Sequence, residues 1–418
     1  MSSVLYRPPP VRHQARGVAV RSVWQLGPTV YLPSLLFGIG QGAVLPVLAL
    51  TARDRGASVA VAGFVVALMG IGRIVGDVPA GLLAARFGER RAMLGAIAVT
   101  VAALSVCLWA PSVWVLGAGV TVLGLAESVW GLARHAYLTD VMPYHLRARA
   151  LSTLGGMQRA GLFVGPFLAA LAMTFWSTPG AYAVHIAAAV LAGAVLLTLR
   201  EPDLGPVRPR AGAADAAPVG IATIVRRHLP VLRTLAMGSL LLSAVRAGRP
   251  VAVPLWAEHL HLDATATSVI FGISGGLEML VFYPAGLAMD RWGRQTTVVV
   301  STLGLTVSYV WLPFTGGVTG LLLASALMGL ANGMGSGINM TIGADVSPAD
   351  NRSEFLGTWR LLGDVGAGLG PLLVGAVAAV ALAPAVASLG VVAALSAAAM
   401  ARWLPRYGGP PAPAPAET

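Results

Sequence analysis

The sequence contains no lysine, a single cysteine and little charge of either sign: Asp and Glu total 17, and charged residues are 11% of its 418 positions. A soluble chain carries about 25% charged residues to cover its surface, so a water-facing globule is excluded. A mean hydropathy of +0.76 and an apolar fraction of 56% require most of the surface to face lipid. Without lysine there is no phosphate-binding G-x-x-x-x-G-K-[ST] loop, which excludes an ATP-driven pump with its own nucleotide site. Cys107 stands alone in an apolar run, so no intrachain disulfide exists and the residue reads as a small buried apolar group. Clustered metal ligands and nucleophile–base pairs are also missing. The 7 histidines are scattered, and His259 and His261 lie away from the acids inside the apolar runs. A membrane-embedded enzyme and a bound cofactor or metal are therefore not expected.

What the chain does have is arginine, which supplies all 28 basic residues and a net charge of +11. The arginines cluster between apolar runs rather than along one face, a pattern of membrane orientation and not of nucleic-acid binding. Twelve runs approach the roughly 20 residues that a span needs: 25–50, 59–84, 92–109, 113–139, 150–174, 180–199, 230–256, 264–288, 296–315, 319–343, 353–381 and 384–403. The first follows arginines as a signal peptide would, but is too long for an h-region and reads as a retained span. Arg7, Arg12, Arg16 and Arg21 precede it. Alternate connections then carry Arg86, Arg90 and Arg91, Arg147 and Arg149, the arginines between Arg200 and Arg233, Arg291 and Arg294, Arg352, and Arg402 and Arg406. The opposite connections hold only Arg53 and Arg55. The positive-inside rule puts the first set and both termini in the cytoplasm. The expected plan is all-α: a cytoplasmic segment 1–24, a six-helix bundle 25–199, a Pro/Gly/Ala-rich linker 200–229, a second six-helix bundle 230–403 and a disordered tail 404–418.

The halves repeat at a constant offset of 205 residues. "PAGLLAARFGER" at Pro79–Arg90 returns as "PAGLAMDRWGRQ" at Pro284–Gln295, so that Gly81, Arg86, Gly88 and Arg90 correspond to Gly286, Arg291, Gly293 and Gln295, with Arg294 beside the last. Ala85 stands where the second copy has Asp290. Gly161, Gly165 and Pro166 likewise match Gly366, Gly370 and Pro371. The glycines at Gly81 and Gly286 are expected to allow a close approach in a turn between the second and third spans.

With these motifs the chain resembles the major facilitator superfamily, whose loop signature G-x-x-x-D-R-x-G-R-R corresponds to "GLLAARFGERR" and "GLAMDRWGRQT". The elements "GLFVGP" and "GAGLGP" look like the G-x-x-x-G-P of its proton-coupled drug and metabolite antiporter branch. The resemblance implies two pseudo-symmetric bundles around a central cavity. It also implies that Ala85 lacks an acid that helps latch the cytoplasmic side, with Asp77 as one substitute.

Arg73, Asp77, Glu127, Arg134, Arg159, Arg246, Arg249, Glu278, Arg360 and Asp364 fall inside the apolar runs. Each costs about 2.5–3.5 kcal/mol at a span centre, so they must pair or face water. Arg73 is the repeat equivalent of Glu278, and Arg159 of Asp364. In the family fold spans two and eleven face each other, as do five and eight, so crosswise pairs Arg73–Asp364 and Arg159–Glu278 are expected to close an inner gate; pairing of Arg73 with Asp77 is the local alternative. Spans one, four, seven and ten line the family's cavity and carry Gln41, Glu127, Arg134, Arg246, Arg249, Asn332 and Asn339. Glu127 is the candidate proton carrier, because burial favours its neutral form and a nearby arginine its anion. Arg246 and Arg249 give the cavity a positive side, although Arg249 has a second possible partner in Glu258 at the outer end. His135 and His185 are further titratable candidates.

These residues lead to a secondary active transporter working by alternating access, with proton-coupled efflux of a small organic molecule as the first reading. Proton-coupled uptake of an anionic or zwitterionic metabolite is the alternative, ahead of a non-transporting receptor or an embedded enzyme. The expected partners are a small-molecule substrate, protons and the lipid bilayer, with no nucleic acid. The expected form is a multi-pass monomer in the plasma membrane.

Overall fold

A computed structural model describes residues 27–142, 146–198, 221–348 and 351–407. The segment 1–24, most of the linker and most of the tail lie outside the described residues. The long apolar runs are helices, and no strand occurs among the described residues. A first span is broken into α1 (Leu32–Val44) and α2 (Leu48–Asp54), bent by 40°. α3 (Val59–Phe87), α4 (Glu89–Leu108), α5 (Val113–Val141), α6 (Arg147–Trp176) and α7 (Pro179–Thr198) complete the first half. After two short helices, α8 (Ile221–Arg227) and α9 (Leu229–Val231), come α10 (Met237–His259), α11 (Ala264–Trp311), α12 (Gly317–Met334), α13 (Ile338–Asp345), α14 (Arg352–Ala378) and α15 (Leu382–Tyr407).

Among the described residues ten helices are long and apolar enough to cross a membrane, and the bent α1–α2 pair makes an eleventh. The twelfth lies within α11. Its 48 residues would extend about 72 Å, more than twice a hydrocarbon core. The chain turns inside it at Gly293, whose φ of 84° and ψ of 162° are not helical. Gly88, with φ 81° and ψ 154°, makes the same turn between α3 and α4. Positive φ of this kind favours glycine, so the tight position of the repeated turn is its second glycine. The expectation for Gly81 and Gly286 is corrected: a Cβ on either would meet nothing within 4 Å.

Local signals recur with the repeat. Ser58 caps α3 by accepting from the Val61 N–H, and Asp263 caps α11 by accepting from the Ala266 N–H at 2.7 Å. Lipid supplies no hydrophobic drive between helices, so close packing of small residues holds each half. Gly161 and Gly165 of α6 lie against the α1 backbone at Leu35 and Ile39, and Gly366 and Gly370 of α14 lie against the α10 backbone at Leu240 and Ala244. The G-x-x-x-G-P elements are thus seams inside each half. Larger side chains fill what remains: Phe37 stacks on Trp130 with centroids 4.6 Å apart in the first half.

The halves meet through α3 with α14, α6 with α11, and α2 with α10. Contact is close at one end only. A Cβ on Gly63 would sit 2.8 Å from the Gly375 Cα, one on Gly70 would sit 3.4 Å from Gly368, and one on Gly81 would meet nothing within 4 Å. Gly272 and Gly276 of α11 receive Phe167 and Phe163 of α6, whereas Gly286 faces open space. The halves therefore splay apart toward the arginine-rich end. At the opposite end Arg53 Nε donates to both carboxylate oxygens of Glu258, at 3.0 and 3.1 Å, joining α2 to α10.

Candidate functional site

The wedge between the halves holds a cavity with two adjoining lobes, which share Leu45, Leu162 and Pro250. The first, of ≈ 440 Å³, is lined by Gln41, Arg73, Asp77, Glu127, Ser128, Gln158, His185, Arg360 and Asp364 among others. The second, of ≈ 200 Å³, is lined by Arg159, Phe163, Arg246, Arg249, Phe271, Glu278 and Asn332 among others. α10 and α6 serve both lobes, because each alternates small residues that pack with polar ones that face the opening.

Glu127 on α5 anchors the first lobe. Its side chain is only 4% exposed, while that of Arg73, facing it from α3, is 48% exposed. Arg73 Nε donates to Glu127 Oε2 at 2.8 Å, and Nη2 donates to the same oxygen. One partner is buried and the other opens to the cavity, and both line the lobe. Asp77 accepts from Ser128 Oγ rather than pairing with Arg73. A polar relay ties three helices behind them: Arg134 Nη2 donates to Gln158 Oε1 at 2.7 Å, and Gln158 Nε2 donates to Gln41 Oε1 at 3.0 Å. His185 sits in the wall, edge-on to Phe37 at 5.9 Å, in space left by Gly40. Arg360 and Asp364 approach to 3.8 Å along one face of α14.

In the second lobe, Arg249 Nη1 donates to Glu278 Oε2 at 2.9 Å, Nη2 donates to Ser274 Oγ at 2.9 Å, and the guanidinium covers Phe271 at 4.6 Å. Arg246 Nη2 donates to the Gly335 carbonyl at 2.7 Å. Arg159 lies over the Phe282 ring at 4.0 Å. Asn332 lines the lobe, and its side-chain oxygen is buried without a hydrogen-bond partner among the described residues.

The structure thus gathers most of the residues singled out in the sequence. Arg73 and Asp364 share the first lobe, and Arg159 and Glu278 share the second, yet neither crosswise pair is joined in this splayed state. Arg134 and Asn339 stand behind the cavity: Asn339 Nδ2 donates to Ser243 Oγ at 3.1 Å and its carbonyl accepts from Trp359 Nε1. Glu258 is held by Arg53, so it is not the partner of Arg249. Gln158 was not anticipated, being uncharged with a glycine, Gly363, as its repeat equivalent. The Arg53–Glu258 pair was readable, since its members sit 205 residues apart with opposite signs.

The model of the Major Facilitator Superfamily matches residues 30–280 and 235–418. No curated protein matches the chain in sequence. Among solved structures, a bacterial homolog of the human lysosomal transporter Spinster, in an inward-facing and unoccupied conformation, superposes with a TM-score of 0.75 at 12% identity, covering 94% of this chain and 100% of that one. The nucleoside transporter NupG gives 0.72 at 14% identity, over 88% of this chain and 96% of that one. A D-xylose-proton symporter gives 0.70 at 16% identity, over 91% and 97%.

Proposed function

The chain belongs to the Major Facilitator Superfamily, and on that premise we propose that it exports a small organic molecule from the cell in exchange for protons, with Glu127 as the proton carrier. It is a multi-pass membrane transporter and not an enzyme. By the positive-inside rule the arginine-rich end is cytoplasmic, so the splayed state is open inward, in the plasma membrane, with both termini inside.

The observation that carries this reading is the buried Glu127 held by a half-exposed Arg73 in the cavity wall. Asp364, across the cavity on α14, is a second acid within the same lobe. Arg73 exchanges partners: it meets Asp364 when the inner ends close and returns to Glu127 when they part. Its arrival stabilises the carboxylate and drives the proton off toward the cytoplasm. Arg159 and Glu278 form the companion inner pair, and Arg53–Glu258 with the close packing of Gly63 on Gly375 closes the outer end. The paired G-x-x-x-G-P elements support efflux. The opposite direction, uptake with protons, is a second reading favoured by the surplus of arginine in the second lobe.

Spin labels at Leu82→Cys and Leu287→Cys, in a chain with Cys107→Ser, test the exchange by distance measurement in liposomes. Both positions are exposed, near the inner ends of α3 and of the first arm of α11. Acid protonates Glu127, frees Arg73 for Asp364 and shortens the distance by roughly 10 Å, a helix diameter. Glu127→Gln gives the short distance at neutral and acid pH alike. A Glu127→Gln chain that keeps the wild-type response to pH removes Glu127 from the coupling role.

A further inference from the structure

Charge does not balance in the second lobe. Arg159, Arg246 and Arg249 line it with one acid, Glu278, which is committed to Arg249. Among the described residues, Arg246 has only a neutral carbonyl as partner, and its Nε is buried with no hydrogen bond. Arg159 rests on an aromatic face, and its Nη1 is buried with no partner among the same residues. Two guanidinium charges so placed are unfavourable without a counter-charge, and arginine does not escape by losing its proton. Arg159 belongs to α6 of the first half and Arg246 to α10 of the second, so the unbalanced pair straddles the interface between moving bodies.

We propose that the second lobe is the receptor for an organic anion, whose acidic group bridges Arg159 and Arg246 and so joins the two halves. This rests on the transport reading for its purpose but not for its chemistry. A guanidinium presents paired N–H donors that match a carboxylate or phosphate. The rest of the lobe asks for an apolar body: Leu45, Leu162, Phe163, Phe271 and Met279 complete its wall. Its volume of ≈ 200 Å³ equals that of about seven waters, enough for a small ring with its acid. The unpartnered oxygen of Asn332 takes a hydroxyl or amine hydrogen on the same molecule. Arg249, tied to Glu278 and Ser274, positions the wall rather than binding the anion.

The test uses the full chain in detergent with benzoate, benzamide, benzylammonium and inorganic phosphate as probes, followed by thermal unfolding and equilibrium binding. Benzoate binds and stabilises, benzamide binds at least ~10-fold more weakly, and benzylammonium and phosphate have no effect. Arg159→Gln and Arg246→Gln each weaken benzoate by ~10-fold or more while raising the melting temperature of the unliganded protein, because each removes a buried unpaired charge. A merely structural arginine gives the reverse, a lower melting temperature with an unchanged benzoate response. Arg246→Lys, which keeps the charge and loses the fork, retains part of the affinity. Equal binding of benzylammonium, or phosphate binding as strong as benzoate, overturns the proposal. Reconstituted vesicles separate the two readings. Arginine-dependent benzoate binding without movement of labelled benzoate leaves the receptor and removes the transporter, whereas proton-driven movement of benzylammonium alone does the opposite.

Discussion

The two halves share a skeleton residue for residue and differ in charge. Gly165 and Gly370 touch equivalent backbone atoms, Ile39 and Ala244, and Gly124 and Gly329 do the same with Met69 and Ser274. Gly88 and Gly293 make the same turn. Against that constancy, Arg53, Arg73 and Arg159 of the first half correspond in the repeat to Glu258, Glu278 and Asp364 of the second. Near a pseudo-twofold axis a residue confronts its own equivalent, so identical charges would repel there and opposite ones attract. Arg53–Glu258 is such a pair, made across the axis. Steric demands do not care which half they serve and are copied; charges at the interface must differ to attract, and have diverged. The lobes follow: acids gather in the first, arginines in the second.

The comparison breaks most severely at the seams. Leucine at Gly165 or Gly370 drives a side chain into helix backbone that cannot yield, at a cost above the usual 1–3 kcal/mol of overpacking by roughly twofold. Both variants should fail to give monodisperse protein on size-exclusion chromatography, and to the same degree. Gly81→Leu and Gly286→Leu, where a Cβ meets open space, should behave as wild type. Unequal loss between the halves would show that one seam is dispensable.

Much of this skeleton was legible because sterics leave their mark on residue identity at a fixed offset. The repeated turns and the spans, including the two that run together in α11, were read that way, whereas the tight position of each turn lies at the second glycine, Gly88 or Gly293, and the caps at Ser58 and Asp263 were not read. The partners of the charges were less legible. Arg73 has Glu127, Asp77 and Asp364 around one lobe, and which it meets depends on how far the halves are apart, a property of the state and not of the residues. Arg249 was expected on the cavity's positive side, but a single neighbour one helix away, Glu278, absorbs its charge. Gln158 carries no charge and no repeat signature, so nothing in the sequence distinguishes it from a polar packing residue.

Reversal at the axis is sharpened by swapping it. Arg53→Glu places two acids across the outer end and Glu258→Arg two arginines, and each should shift the splayed state toward outward opening. The double variant restores the attraction with the signs exchanged. The side chains are 32% and 35% exposed, so water screens the pair, and its coupling should be about 0.5–1 kcal/mol, a factor of roughly 2–5 in the populations. Spin labels flanking the pair on α2 and α10 measure that ratio. A double variant no closer to wild type than the singles would mean that the packing of Gly63 on Gly375 alone closes the outer end.

The smallest effect is expected where the halves do the same job with different residues. Arg90 donates from Nε to the Leu196 carbonyl at 3.0 Å, tying α4 to the end of α7. Its equivalent Gln295 donates to the Ala401 carbonyl at 2.9 Å, tying the later arm of α11 to α15. Arginine adds a positive charge to a carbonyl end that carries partial negative charge, worth about 0.3–1 kcal/mol at a surface; glutamine gives the hydrogen bond alone. Arg90→Gln should therefore lose that charge contribution, with its salt dependence, together with the Nη2 bonds to Leu196 and Leu197, whereas Gln295→Arg, beside a carbonyl that Pro405 leaves without a helical partner, should gain no more than that amount and at low salt only. Thermal unfolding at ~0.01 M and ~1 M salt, where screening lengths are about 30 and 3 Å, separates the two contributions. A Gln295→Arg gain that persists at high salt would mean that the second half lacked hydrogen bonds at that end rather than charge.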